Sequence, residues 1–472
     1  MITSIFRIAG LAALSIISAS ILHAQPEPVG HWDGALNMMG QEMTIAVDIS
    51  RAGDSLRATI DVPQQGGYGL KLQNVSYHPP ELHFELPSGL GTAAFDGKRK
   101  GDSISGGFMQ GSHKGEFVLK LGPPRKDSTP VVAVPYREEE VHFSNDTIAL
   151  AGTLTLPRTG APHPAVIMIT GSGPQNRDEE LFNFRPFRII ADRLTRNGIA
   201  VLRYDDRGTG ESKGTFAGST TADFATDARA ALKFLKGRPD IDPKQIGFIG
   251  HSEGGIIAPI VAAEGNDVAF IVLMAGTGVK GGELLKAQVM AILKSNGAPQ
   301  TEIDQALQFQ EKLQAAIRTG KGMDEVAASL RSNIAKSLGN LTPERLKAIG
   351  DTTRYLDQAV AGQLKFAETP WYRYFIDLDP AVALEKVKCP VLILFGDLDV
   401  QVPAEMNKGG IVAALKKGGN SAYTVKTFPK ANHLFLTAKT GSPSEYAMMK
   451  KEFVPEFLDT ISSWISERAG KK

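Results

Sequence analysis

Gly250-His251-Ser252-Glu253-Gly254 fits the pattern G-x-S-x-G. It follows an apolar run, 245–250, and precedes a helical run that begins near Gly255. That is the setting in which a strained strand-to-helix turn presents a serine hydroxyl, with small neighbours letting the backbone fold so tightly. A serine hydroxyl is a poor nucleophile at neutral pH and needs a positioned base. The base and an acid to orient it are sought downstream of the turn, an order that the resemblance stated below implies. Of nine histidines only His433 lies beyond Ser252, in Asn432-His433-Leu434-Phe435 just past the last predicted strand. The acid is expected at the end of the preceding strand, in Gly396-Asp397-Leu398-Asp399-Val400-Gln401-Val402-Pro403, where Asp397 and Asp399 compete. Asp399, three residues before Val402-Pro403, is the preferred acid, and Asp397 then shapes the turn through the backbone. Its role would be to fix the imidazole tautomer and stabilise the imidazolium.

A serine attacking a carbonyl also needs two backbone N–H groups aimed at the developing oxyanion. One is expected from Glu253. The other is expected from the loop after the run 165–170, which reads Gly171-Ser172-Gly173-Pro174-Gln175-Asn176-Arg177-Asp178, with Ser172 the donor and Gly173 the alternative. The loop lacks the Gly-Lys-Ser/Thr ending of a phosphate cradle. Asp205-Asp206-Arg207-Gly208-Thr209-Gly210 reads as a structured turn, with Asp206 or Arg207 buttressing the oxyanion loop as the alternative. Trp371 and Tyr372, in an aromatic run, are either core packing or the wall of a substrate pocket. No metal or organic cofactor is needed for this chemistry, and none is expected.

These residues require a scaffold, and the apolar pattern supplies it. From 137 on, apolar β-type runs alternate with helical stretches, as in a mostly parallel sheet buried on both faces. About eight strands are expected: 139–143, 148–156, 165–170, 199–204, 245–250, 270–275, 391–395 and 423–428. The first two form an antiparallel start. The alternation stops at 281–369, where Met323, Val326, Ala327, Leu330, Ile334 and Leu338 recur at helical spacing. Thr301-Glu302-Ile303-Asp304 reads as a capping signature. This stretch is expected to be a helical cap inserted into a catalytic domain made of 137–280 and 370–472.

Upstream, residues 25–121 have period two, with turn clusters between runs such as Ile45, Val47, Ile49 and Leu82, Phe84, Leu86. Seven or eight short strands in a small antiparallel barrel or sandwich are expected. Its histidines, His31, His78, His83 and His113, are scattered without metal-ligand spacing. This domain is expected to be structural or partner-binding, through self-association or ligand contact. A proline-rich linker, 122–136, follows it. Residues 1–24 carry one charge, Arg7, ahead of an apolar stretch from Ile8 to about Leu22, with Ala24 before a cut. That is the form of a signal peptide, and the stretch is shorter than the ~20 residues a membrane span needs.

Composition narrows the classes. Fifty-two basic residues against 51 acidic ones leave a formal charge of +1, so no global field favours nucleic acid. A single cysteine, Cys389, excludes an intramolecular disulfide and a thiolate metal cluster.

On Gly171-Ser172-Gly173-Pro174, Arg207-Gly208-Thr209-Gly210, 250–254, 396–403 and Asn432-His433-Leu434-Phe435, the second half resembles the α/β-hydrolase superfamily. The whole chain looks like the EstD-type bacterial carboxylesterases. The Gly-His-Ser-Glu-Gly form is shared with serine aminopeptidase-like and dienelactone hydrolase-like relatives. One departure is Thr170, where many relatives carry histidine. The resemblance implies hydrolysis of short- to medium-chain acyl esters, with a helical cap governing access. A small-molecule ester, and neither nucleic acid nor a stable membrane anchor, is the expected partner, and the periplasm or the medium the expected compartment. A peptidase or thioester hydrolase of the same fold, or a non-catalytic binding protein, are the rival readings.

Overall fold

The computed structural model describes residues 27–38, 41–53, 55–62, 67–86, 92–110, 113–123, 134–182, 184–339, 346, 349 and 351–469. The expected signal peptide, and the linker over 124–133, lie outside them. The chain forms two compact units, one largely before and one largely after that linker segment.

The first unit is one nine-stranded sheet. Its strands are β1 (Gly30–Met38), β2 (Gln41–Ala52), β3 (Ser55–Val62), β4 (Gly67–Lys71), β5 (Gln73–His78), β6 (Glu81–Leu86), β7 (Ala93–Lys100), β8 (Ser103–Gln110) and β9 (His113–Leu121). They lie in the order β4-β3-β2-β1-β9-β8-β7-β6-β5. Alternate residues point inward, and Trp32, Ile45, Val47, Ile60, Phe84, Phe95, Phe117 and Leu119 are buried. Nine strands stand where seven or eight were expected. Strands β1 and β8 carry glycine at inward or central positions (Gly34, Gly106, Gly107), which interrupts the apolar alternation by which strands are recognised.

The second unit opens with β10 (Tyr136–Asn145), β11 (Ile148–Pro157) and β12 (His163–Ile169). Then come α1 (Pro186–Arg196), β13 (Ala200–Tyr204), α2 (Thr221–Lys236), β14 (Ile241–His251), α3 (Gly254–Ala262) and β15 (Ile271–Met274). After the insertion it closes with β16 (Val391–Gly396), α10 (Ala404–Lys417), β17 (Tyr423–Phe428) and α11 (Phe457–Ala469). The sheet order is β10-β11-β13-β12-β14-β15-β16-β17. Strands β10, β11 and β13 pair antiparallel, and every later pair is parallel. Every residue of β13, β15 and β16 is buried, as continuous apolar runs covered on both faces must be. Helix α2 starts on a capping box in which Thr220 and Asp223 exchange side-chain and backbone hydrogen bonds. This architecture is the α/β-hydrolase fold, preceded by an antiparallel β-domain.

Between β15 and β16 lie α4 (Gly281–Ser295), α5 (Gln300–Thr319), α6 (Met323–Gly339), α7 (Thr352–Ala367), α8 (Pro370–Phe375) and α9 (Ala381–Leu384). Helices α5 to α8 share a core of Leu313, Ala316, Ile317, Val326, Ala367 and Tyr372. The capping signature at Thr301 does not operate. Pro299 takes the N-cap of α5, which places Thr301 inside the first turn.

Arg207, on the turn after β13, inserts into α2. Its Nε and Nη2 donate to Asp227 Oδ2 and Oδ1 at 2.7 and 2.9 Å, and it lies over the Phe224 ring. Both partners are buried. Removing the anion leaves a buried cation unpaired, so Asp227→Ala should cost about 3–5 kcal/mol. Urea unfolding followed by circular dichroism measures this.

Candidate active site

Strand β14 delivers its last residue, His251, into the interior and passes directly into Ser252, whose φ is 53°. A non-glycine residue rarely adopts this left-handed conformation, which costs of order 1–2 kcal/mol. The sequence permits it only with small neighbours. A Cβ on Gly250 would collide with the carbonyl of Gly254, and one on Gly254 with that of Ile169. The Ser252 amide is held by Met274 O at 2.9 Å. Ser252 itself stays partly exposed between buried His251 and Glu253.

The loop after β12 lies against this turn, since a Cβ on Gly171 would stand 3.2 Å from Ser252 Cβ. The Gly171 amide donates to Glu179 Oε1 at 2.7 Å and is spent. Among the described residues, no hydrogen bond occupies the amides of Ser172 or Glu253. The loop is fixed from behind. Asp206 Oδ1 accepts from the Thr170 hydroxyl at 2.7 Å and its Oδ2 from the Gln175 amide at 2.9 Å. Arg177 grips Asp205 through Nη2 and its own amide, both at 2.8 Å, and reaches Glu140. Asp206 is therefore the buttress of the loop, while Arg207 anchors α2.

At the ends of β16 and β17 the two further candidates meet. His433 Nδ1 donates to Asp399 Oδ2 at 2.8 Å, and Asp399 Oδ1 accepts the amides of Gln401 and Val402, each at 2.8 Å. Both side chains are buried. Asp397 is exposed. The ring of His433 lies 4.7 Å from that of His251, the neighbour of Ser252. No hydrogen bond joins the Ser252 hydroxyl to His433 here. Such catalytic contacts often tighten only with substrate bound.

Three buried side chains of the site, His251, Glu179 and the Glu253 carboxylate, were not singled out from sequence. His251 bonds Glu179 Oε1 through Nδ1 and the His433 carbonyl through Nε2. The Glu253 carboxylate accepts from Thr221 at 2.6 Å and from the Trp371 indole at 2.9 Å. Glu179 had no signal, because Asp178-Glu179-Glu180 reads as a solvated charge run. His251 and Glu253 had one: polar residues inside a turn that otherwise demands small ones.

Trp371 thus touches the residue after Ser252, whereas Tyr372 belongs to the core of the insertion. Tyr372 also lines a cavity of about 400 Å³ there, with Leu285, Phe309, Leu313 and Phe366. Among the described residues no His/Cys/Asp/Glu group is arranged to hold a metal ion.

Burial raises two of the acids, Asp206 and Glu253. It pushes Asp206 up to about 8, against the hydrogen bonds from Thr170 and Gln175, and Glu179 and Glu253 nearby add to it. For His251 burial disfavours the charged ring, but the Glu179 carboxylate outweighs it and the group stays above its ordinary value.

Comparison with known proteins gives two family models. That of the serine aminopeptidase S33 family matches residues 185–341 and that of the prolyl oligopeptidase family residues 347–459. Esterase EstD of Thermotoga maritima is 26% identical over 445 residues, 92% of each chain. An uncharacterized protein of Mycobacterium tuberculosis is 30% identical over 139 residues, 29% of this chain and 45% of its own. Among solved structures, a Pyrococcus furiosus esterase aligns with TM-score 0.44 at 17% identity, covering 71% of this chain and 93% of its own. A proline iminopeptidase of Mycobacterium smegmatis aligns with TM-score 0.43 at 16%, covering 70% and 99%. The fold and the sequence matches make the protein an α/β-hydrolase and a serine hydrolase.

The raised Asp206 has a consequence for stability. Its proton is bound more tightly folded than unfolded, so the contribution favours the fold at low pH. It is lost as pH rises from the ordinary carboxylate value of 3.8 towards 8. Asp206→Asn keeps the shape and removes the titration. Thermal melts should therefore fall less between pH 5 and 9 in the variant than in the wild type.

Proposed function

We propose that this serine hydrolase cleaves carboxylic esters of short to medium acyl chain, outside the cytoplasm, through an acyl-enzyme on Ser252. The observation that carries the reading is the buried His433–Asp399 bond at 2.8 Å, on loops that bring the ring to the neighbour of Ser252. The esterase match over 92% of the chain supports ester over amide substrates. The peptidase family models each match a smaller part of it.

In this mechanism His433 Nε2 takes the proton of Ser252 Oγ as that oxygen bonds the ester carbonyl carbon. The amides of Glu253 and Ser172 receive the oxyanion, each worth roughly 3 kcal/mol of barrier. As the tetrahedral species collapses, the C–O bond breaks and the alcohol leaves with the proton from His433. Water then attacks the acyl carbon and gives its proton to His433. Collapse returns that proton to Ser252 and frees the carboxylic acid. Asp399 keeps a proton on Nδ1 and stabilises the imidazolium, its own charge held by two amides. Trp371 contributes to the wall beside the oxyanion donor.

Export rests on residues 1–24, and the β-domain is assigned a structural or partner-binding role, without nucleic acid. Among the described residues no helix is long and apolar enough to cross a membrane.

Ser252→Ala should lower hydrolysis of p-nitrophenyl butyrate by at least a thousandfold and abolish labelling by a fluorophosphonate. Retention of a tenth of the activity sinks the assignment. Turnover of aminoacyl-p-nitroanilides above that of p-nitrophenyl acetate and butyrate would replace the ester reading with the peptidase one. Expression in a Gram-negative host with a periplasmic extract tests export. The mature N-terminus should read from residue 25, and full-length protein confined to the cytosol refutes it.

A further inference from the structure

Both ring nitrogens of His251 face oxygen atoms. Nδ1 lies 2.9 Å from Glu179 Oε1, and Nε2 lies 3.0 Å from the backbone O of His433. A backbone carbonyl only accepts, so Nε2 carries a proton whenever that bond is made. The contact at Nδ1 then requires a second proton, on Nδ1 or on Glu179 Oε1. The pair as built holds two protons and no net charge. Glu179 Oε1 accepts the Gly171 amide as well, at 2.7 Å. Segments around 171–179, 251 and 433 therefore meet at one pair, whose members are only 6% and 4% exposed.

The placement is costly. Glu179 has φ of 51°, and its Oε2 is buried with no hydrogen-bond partner. Such features persist where the surroundings over-determine them, and they cluster at functional sites. The geometry occupies both nitrogens of His251, so the ring is engaged behind the turn and does not act on the ester itself.

We propose that Glu179 and His251 are a positioning pair, which ties the carbonyl of His433 to the amide of Gly171 through a shared proton. It thereby fixes the base and the oxyanion loop relative to Ser252. The inference rests on the reading of Ser252 and His433 given above. Around the pair stand Asp399 and His433 on the loops after β16 and β17, Asp206 after β13 and Glu253 on the turn. Three of these are acids, so losing the shared proton puts a further negative charge among them. It also removes the donor between His251 and Glu179. Activity should therefore decline on the basic side as that proton leaves.

The test is kcat and KM for p-nitrophenyl butyrate between pH 5 and 10, on the full-length mature protein. Glu179→Gln should lower kcat roughly 10- to 100-fold, the scale of a misplaced catalytic group, with KM close to wild type. Its basic limb should move to lower pH, because a neutral amide no longer holds the proton on His251. The acidic limb should stay in place. His251→Gln carries no titratable proton, while its amide can still donate to the His433 carbonyl. Glu179 is then the titratable member that remains, so the basic limb should again leave its wild-type position. Melting curves identify which variants fold. A wild-type basic limb in those that do overturns the pair, as does an unchanged kcat in Glu179→Gln. Ser252→Ala, assayed alongside, separates the outcomes: if it stays active, the underlying site assignment fails, whatever the pair does.

Discussion

A serine in left-handed conformation between a buried strand and a buried helix is the constraint on which the rest of this molecule depends. The conformation is unfavourable by itself, and neither flanking glycine could be exchanged without collision. What offsets it is the sheet. Strand β14 is central, paired in parallel with β12 and β15 over fully buried residues, and the Ser252 amide continues that pairing onto Met274. The turn is a rigid projection from the core, and the loops after β12, β16 and β17 have only to be brought up to it.

They are brought up by buried ionisable groups, which differ in how their charge is met. Asp399 receives three donors, two amides and an imidazole N–H. Asp206 receives one hydroxyl and one amide, and burial outweighs them, so it favours its protonated form up to about 8. A protonated Asp206 can hold Thr170 and Gln175 without placing a negative charge behind the loop that is to receive an oxyanion. Burial, the nearby carboxylates of Glu179 and Glu253 and the small number of donors together make Asp206 a neutral strut.

The parts of the fold that were legible in the sequence are those where burial is complete or strictly one-sided. β13, β15 and β16 read as continuous apolar runs because both faces are covered, and β2, β3 and β6 read by alternation. Where glycine replaces the inward side chain, as in β1 and β8, the periodic signal vanishes although the strand remains. At the site, Ser252 stands out because its neighbours are constrained by sterics at fixed spacing. Asp397 and Asp399 differ in burial, which only the fold displays. Glu179 could not be read at all: its meaning comes from partners at 171 and 251. Arg207 likewise finds Asp227 across a loop and one helix, by a register that no short motif encodes.

Among the polar contacts that tie the insertion to this core, one shares the same logic. Trp371 stacks on Phe375 at 4.8 Å and sends its indole N–H to the Glu253 carboxylate. Glu253 Oε2 has no partner, and burial already raises the group. With the indole withdrawn, Thr221 alone would remain as donor, and the carboxylate would be still harder to keep ionised. The backbone of that same residue follows the serine directly. A displacement of α8 is thus felt as a change in charge balance one residue from the nucleophile. Helices that pack among themselves around Leu313 and Tyr372 acquire in this way an electrostatic connection to the turn that the sheet holds through Met274.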